Sequence, residues 1–166
     1  LIMPIVVLFY QENGLSMSQI FILKSIYSVA MVATELPSGY LADVWGCRKT
    51  ILFGAVLGTL GILIYSFSAD FYSFVVAEIV LGIGFSFISG ADSALLYDSL
   101  KAQNREDEYI KYEGRITSAG NFAEALAGVA GGLLATISLR TPYYFQIFVA
   151  AIGIPATFFL KEPQHV

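Results

Sequence analysis

The sequence predicts an all-α fold, a polytopic bundle of helices that cross a membrane, and three observations predict it. Of 166 residues, 57% are apolar and only 13% are charged, where soluble domains average roughly 45–50% and about 25%. The charges are clustered, and the gaps between clusters match a bilayer. Residues 50–69 and 141–160 are runs of 20 without a charge, each about 30 Å long as a helix. Five long apolar segments follow one another, which leaves too little polar surface for a soluble helical protein. They are also about twice as long as the alternating segments of a membrane β-barrel.

Residues 1–10 are apolar but only about 15 Å long as a helix, and they read as the end of a truncated first helix. With no initiator Met, basic start or cleavage site, they do not read as a signal peptide. The second helix covers residues 18–42 and carries Lys24 and Glu35. It opens on Ser16-x-x-Gln19, a capping-box pattern in which each side chain serves a backbone N–H. Pro37 lies inside this span and Pro155 inside the last; each removes a backbone donor and favours a kink. Residues 50–69 form the third helix, and residues 71–100, with only Glu78, Asp92 and Asp98 charged, the fourth. Asn104 before Glu106, Asp107 and Glu108 reads as an N-cap with acids on the positive end of a helix dipole. Asp107 and Lys111 add an i,i+4 pair. That fifth helix starts in water and enters the membrane near Ile116; residues 116–139 contain one charge, Glu124. Residues 141–160 are the sixth. The expectation is therefore about five full membrane spans plus a remnant of the first, with residues 1–160 as one transmembrane bundle and 161–166 as the start of a cytoplasmic linker.

Basic residues orient the bundle. Arg48 and Lys49, then Lys101, Arg105, Lys111 and Arg115, then Lys161 all fall on one side, and Arg140 alone falls on the other. The first side is cytoplasmic. Nine basic against thirteen acidic residues, net −4, exclude nucleic acid as a partner, since it demands a basic face. The lone Cys47 forms no internal disulfide, and the single histidine, His165, lies near the end. No metal site or cofactor is expected.

Gly39-Tyr40-Leu41-Ala42-Asp43-Val44-Trp45-Gly46-Cys47-Arg48-Lys49 joins the second and third spans. A tight cytoplasmic turn accounts for much of it: Gly39 for close packing, Gly46 for the turn, Arg48 and Lys49 as the anchor. Asp43 is harder to place, because a carboxylate at a helix C-terminus opposes the dipole and calls for a partner.

In this loop the sequence resembles the major facilitator superfamily. Gly39, Leu41, Asp43, Gly46, Arg48 and Lys49 match the family's loop between helices 2 and 3; Val44 and Cys47 stand where Arg is common. The resemblance implies that Asp43 latches one state of a transport cycle by pairing with loop cations and with a helix of the other half. It also implies that the chain is the amino-terminal half of a roughly twelve-span protein whose carboxy-terminal half is its partner. Two further motifs of the family are altered. Glu78 precedes Gly82 where many members carry Arg, and Ala127-Gly128 precedes Gly131-Gly132 without the proline of antiporters.

A charge within a span costs about 2.5–3.5 kcal/mol, so it faces a cavity or a partner. Lys24, Glu35, Glu78, Asp92 and Glu124 are the candidate proton or substrate groups. Lys24 and Glu35, 11 residues apart, fall on nearly one helix face, and Glu78 and Asp92, 14 apart, share another. For Lys24 the competing reading is snorkelling to the outer interface. Asp98, near the cytoplasmic end, suits a solvated role. Glu124 lies in a row of small residues, with Gly120, Gly128, Gly131 and Gly132 expected to pack closely against a neighbouring helix.

The chain is thus expected to be a multi-pass protein of a bacterial plasma membrane and part of a secondary active transporter, with a small solute, protons and lipid as partners. Proton-coupled efflux by alternating access is the leading version. Nutrient import, or a receptor or assembly protein on the same fold, are the alternatives. It is not an enzyme. An intramembrane aspartyl dyad of Asp92 and Asp98 fails because six residues set them about 9 Å apart along one helix and about 120° around it.

Overall fold

The computed structural model describes residues 2–160, so the linker expected over 161–166, with Lys161 and His165, lies outside the described residues. Among the described residues every regular element is helical. A 3-10 turn, Met3–Ile5, leads into α1 (Val6–Glu12). Then follow α2 (Met17–Trp45), α3 (Cys47–Phe67), α4 (Phe71–Lys101), α5 (Tyr109–Ala135) and α6 (Thr141–Ala156), which a 3-10 turn, Thr157–Phe159, extends. Four segments, α2, α3, α4 and Thr141–Phe159, are long and apolar enough to cross a membrane. The fifth expected span, α5, has the length at 27 residues but not the hydropathy, because Asn121, Glu124 and its glycines dilute its apolar content.

Local chemistry sets the helix ends. The Ser16–Gln19 box forms, with Gln19 N–H donating to Ser16 Oγ at 3.4 Å and Ser16 N–H to Gln19 Oε1 at 2.9 Å. Asp70 and Ser73 make a second box at the start of α4, where the Ser73 N–H and hydroxyl hold the Asp70 carboxyl below its ordinary value. Two expectations at the start of α5 are corrected. Asn104 caps no helix; it takes a left-handed φ of 54° and closes α4, its N–H donating to Lys101 O at 2.9 Å. Lys111 pairs with Glu108 at 3.2 Å rather than with Asp107, because the intervening 3-10 turn, Glu106–Glu108, shifts the register. Glu108 also binds Arg105 at 2.9 Å. That contact first, and Lys111 second, hold its carboxyl at about 2, so Glu108 keeps its charge until pH falls through that value.

Gly46 is the whole connection between α2 and α3. Its φ of 92° and ψ of 148° lie in a region only glycine adopts readily, and its carbonyl accepts from the Thr50 N–H at 3.2 Å and hydroxyl at 3.0 Å. Gly46→Ala is expected to cost about 1–3 kcal/mol, read as lowered thermal stability of the purified protein; an unchanged melting temperature would contradict this turn. Gly39 does not provide the close packing expected of it: nothing stands within 4 Å of where its Cβ would be.

α4 packs along both α2 and α3, and glycines permit it. A Cβ on Gly82 would stand 2.6 Å from Tyr27 O on α2, and one on Gly54 would stand 2.8 Å from Gly84 O. The row expected to pack on α5 is largely open. A Cβ on Gly120 or Gly132 would meet nothing within 4 Å and one on Gly128 would stand 3.5 Å from Pro4 Cγ, while Gly131 is buried. The close approaches fall on α3 and α4 because those helices are buried on more than one side, whereas most of α5 is exposed. The main core sits at the end of the bundle where α2 and α4 begin: Phe9, Tyr10, Tyr65, Phe74 and Tyr143 pack together with centroids 4.2–6.0 Å apart.

Candidate functional site

A buried carboxylate lies just beneath this aromatic core. Glu78, two turns into α4, is 1% exposed, a placement that burial of a charge forbids without partners. It has two. Lys24 Nζ, two turns into α2, donates to Glu78 Oε1 at 2.7 Å, and the Tyr10 hydroxyl donates to the same oxygen. Lys24 Nζ also lies 5.4 Å from the centre of the Tyr10 ring, within cation–π range.

The sequence builds this geometry in three steps. The Ser16 and Asp70 caps start α2 and α4 at the same end of the bundle, so Lys24 and Glu78, each seven residues beyond its helix's first residue, both stand about 10 Å along the helix axis from that end. Gly82, one turn below Glu78, lets α4 approach the Tyr27 backbone, which brings the two side chains within reach. Ser38 Oγ, farther in, lies 3.2 Å from both Ser86 O and Ser86 Oγ and ties the same two helices again.

The pair lines a cavity of about 440 Å³ between α2, α3, α4 and α6, with Tyr27, Tyr65, Phe85 and Gln146 among its walls. A second cleft of about 690 Å³ holds Glu124, beside Gln146, Met3 and Pro4. Gln146, Met3 and Ile2 border both spaces, so the two meet beside α6. Such a site can hold a mostly apolar solute by its rings and orient one polar or charged group.

The other predicted residues are not brought into it. Glu35 and Asp92 are exposed along α2 and α4, and Asp98 is half-buried near the end of α4. On the helix ends flanking Gly46, Leu41 is half-buried, while Asp43 and Lys49 are exposed. Arg48 lies over the Phe158 ring at 5.6 Å, which fastens the start of α3 to the end of the last span. Lys24 does not snorkel; it turns inward to Glu78.

Sequence reasoning missed three residues. Tyr10 and Gln146 carried no signal, because an aromatic and an amide within apolar runs read as ordinary span residues. Arg140 was counted only as the one basic residue outside. Its guanidinium donates to Ser66 O at 2.8 Å, Ser68 O at 3.0 Å and Asn13 Oδ1 at 2.7 Å, and sits 5.2 Å over the Phe9 ring. A cation on the last carbonyls of α3 meets the negative end of its dipole, so Arg140 ties α6, α3 and the α1–α2 turn into one block at that end of the bundle.

Comparison with known proteins bears on what this bundle is. The model of the family described as the Major Facilitator Superfamily matches residues 1–166. Multidrug resistance protein 2 of Bacillus subtilis is 26% identical over 167 residues, covering 100% of this chain and 41% of the relative. An uncharacterised MFS-type transporter of Methanocaldococcus jannaschii is 24% identical, covering 92% and 39%. The quinolone resistance protein NorA of Staphylococcus aureus is 22% identical, covering 94% and 38%. The chain thus spans about two fifths of the length of the curated relatives it matches.

Proposed function

The chain belongs to the Major Facilitator Superfamily, an integral multi-pass membrane family, and from that premise we propose that it forms the amino-terminal half of a transporter exporting a small solute by alternating access, with protons moving inward. Asp43 and its loop would latch one state of that cycle against the other half. The observation that carries the reading is Glu78, a carboxylate 1% exposed within a membrane-length helix and on the wall of a cavity. A charge at such depth costs about 2.5–3.5 kcal/mol on insertion scales, and structure alone is served as well by an apolar residue. Its charge and the aromatic walls of the cavity suit an amphiphile with one polar or cationic group. Glu124, Asp92 and Glu35 are the further carboxylates through which protons would pass. Relatives named for multidrug and quinolone resistance support the outward direction.

The full-length gene product in proteoliposomes tests this. Under an imposed pH gradient, a lipophilic cation should move against the proton flow, and Glu78→Gln, Glu124→Gln or Asp92→Asn should weaken the coupling. Full coupling in all three variants sinks the assignment of these carboxylates. No movement of solute or protons sinks the transporter reading itself.

A further inference from the structure

We infer that Lys24 is a tethered cation that occupies the Glu78 site when no solute is bound, and that a cationic solute enters by displacing it. The inference rests on the transport reading of this cavity and adds what sets its selectivity. The two partners differ sharply in freedom: the Glu78 side chain is 2% exposed and the Lys24 side chain 45%. The anion is therefore fixed, and the cation sits on a flexible stem open to the surroundings. Both line the same cavity, together with Tyr27 and Phe85.

The surroundings of the Lys24 ammonium already form an ammonium site. Nζ has the Glu78 Oε1 at 2.7 Å on one side and the Tyr10 ring at 5.4 Å on another, the carboxylate-and-aromatic combination that organic cations also favour. Because the Tyr10 hydroxyl remains bound to Glu78 Oε1, the carboxylate keeps its orientation after Lys24 leaves. Lys24 has somewhere to go. Its Cα lies about 10 Å from the outer end of α2, near enough for the stem to lie along apolar surface with the ammonium directed to the interface. The exchange swaps one cation for another at a buried carboxylate, so no uncompensated charge is created in the bundle, whereas an anion would meet Glu78 with nothing to neutralise it.

Lys24 then acts as an internal competitor that weakens solute binding and permits release. Equilibrium binding of tetraphenylphosphonium to the full-length gene product tests this in three variants. Lys24→Gln, which keeps an N–H donor but loses the charge, should tighten binding about tenfold. Lys24→Arg, which keeps the charge, should stay close to wild type. Glu78→Gln should lose binding. If Lys24→Gln binds no tighter while Glu78→Gln loses binding, the displacement is wrong and the site stands. If Glu78→Gln binds as wild type, the site reading has failed as well. Should Lys24→Gln not fold, the unaltered protein answers by amine acetylation read at Lys24 by mass spectrometry. Faster modification with tetraphenylphosphonium present supports displacement, and an equal rate overturns it.

Discussion

Replacing Lys24 with Met is expected to lower stability by about 3–5 kcal/mol, the cost of leaving a buried charge without its partner. Among the described residues lining its cavity the Glu78 carboxylate has no cation other than Lys24 to turn to, and Tyr10 supplies one hydrogen bond. The converse variant should cost less. Glu78→Gln leaves Tyr10 an amide oxygen to donate to, and the half-exposed Lys24 can turn outward, so about 1–3 kcal/mol is expected, the range for a lost charged hydrogen bond. The informative variant is the double one. Lys24→Met with Glu78→Gln removes both charges, and the cycle should return most of the stability lost in Lys24→Met alone. Thermal unfolding of the four proteins in one detergent measures it; additive losses would show that the contact carries no energy.

The second large effect is expected at Gly82. A Cβ there would stand 2.6 Å from Tyr27 O and 3.1 Å from Ala30 Cβ, a backbone contact that cannot give way by rotating a side chain. Gly82→Val should therefore push α4 from α2, at about 1–3 kcal/mol or more for overpacking. The same movement displaces Tyr27 from the cavity wall and opens the Lys24–Glu78 contact one turn above. Transport per folded molecule should fall with the stability, and Gly82→Ala should lie between. Val at wild-type activity would mean that the close approach of these helices does not position the site.

Much of this architecture was legible in the residues. Charge-free runs of membrane length announced the spans, and Ser16-x-x-Gln19 announced a helix start that forms as written. Gly46 announced its turn because a single residue between two long helices has few other solutions. The failures share one cause. Asn104, Asp107 and Gly39 were each read from spacing along one segment, and each outcome depended on a neighbouring turn or helix that spacing does not describe. The α5 glycines failed likewise, since a row of small residues permits close packing but does not say which helix arrives.

The site was half legible. Glu78 and Lys24 stood out as charges in apolar runs, and their equal offset from two capped helix starts was available as a sign that they meet. Periodicity paired them instead with Glu35 and Asp92 on their own helices, because a face is read along one helix and an ion pair forms between two. Tyr10, Gln146 and Arg140 act through partners at least 68 residues away or through a cavity assembled by several helices, so no local pattern marks them.

Alternating exposure of the Glu78 cavity is the central claim, and a cysteine at Phe85, on its wall, reports it most directly. In full-length protein with Cys47, the one cysteine of these 166 residues, and every cysteine of the remaining sequence changed to Ser, the introduced thiol is the one that labels. A membrane-impermeant maleimide is applied from either side of the membrane, with and without tetraphenylphosphonium. Labelling that is confined mainly to one side and shifts when the cation binds is the predicted result. Labelling that is equal from both sides, or that the cation does not change, would contradict it.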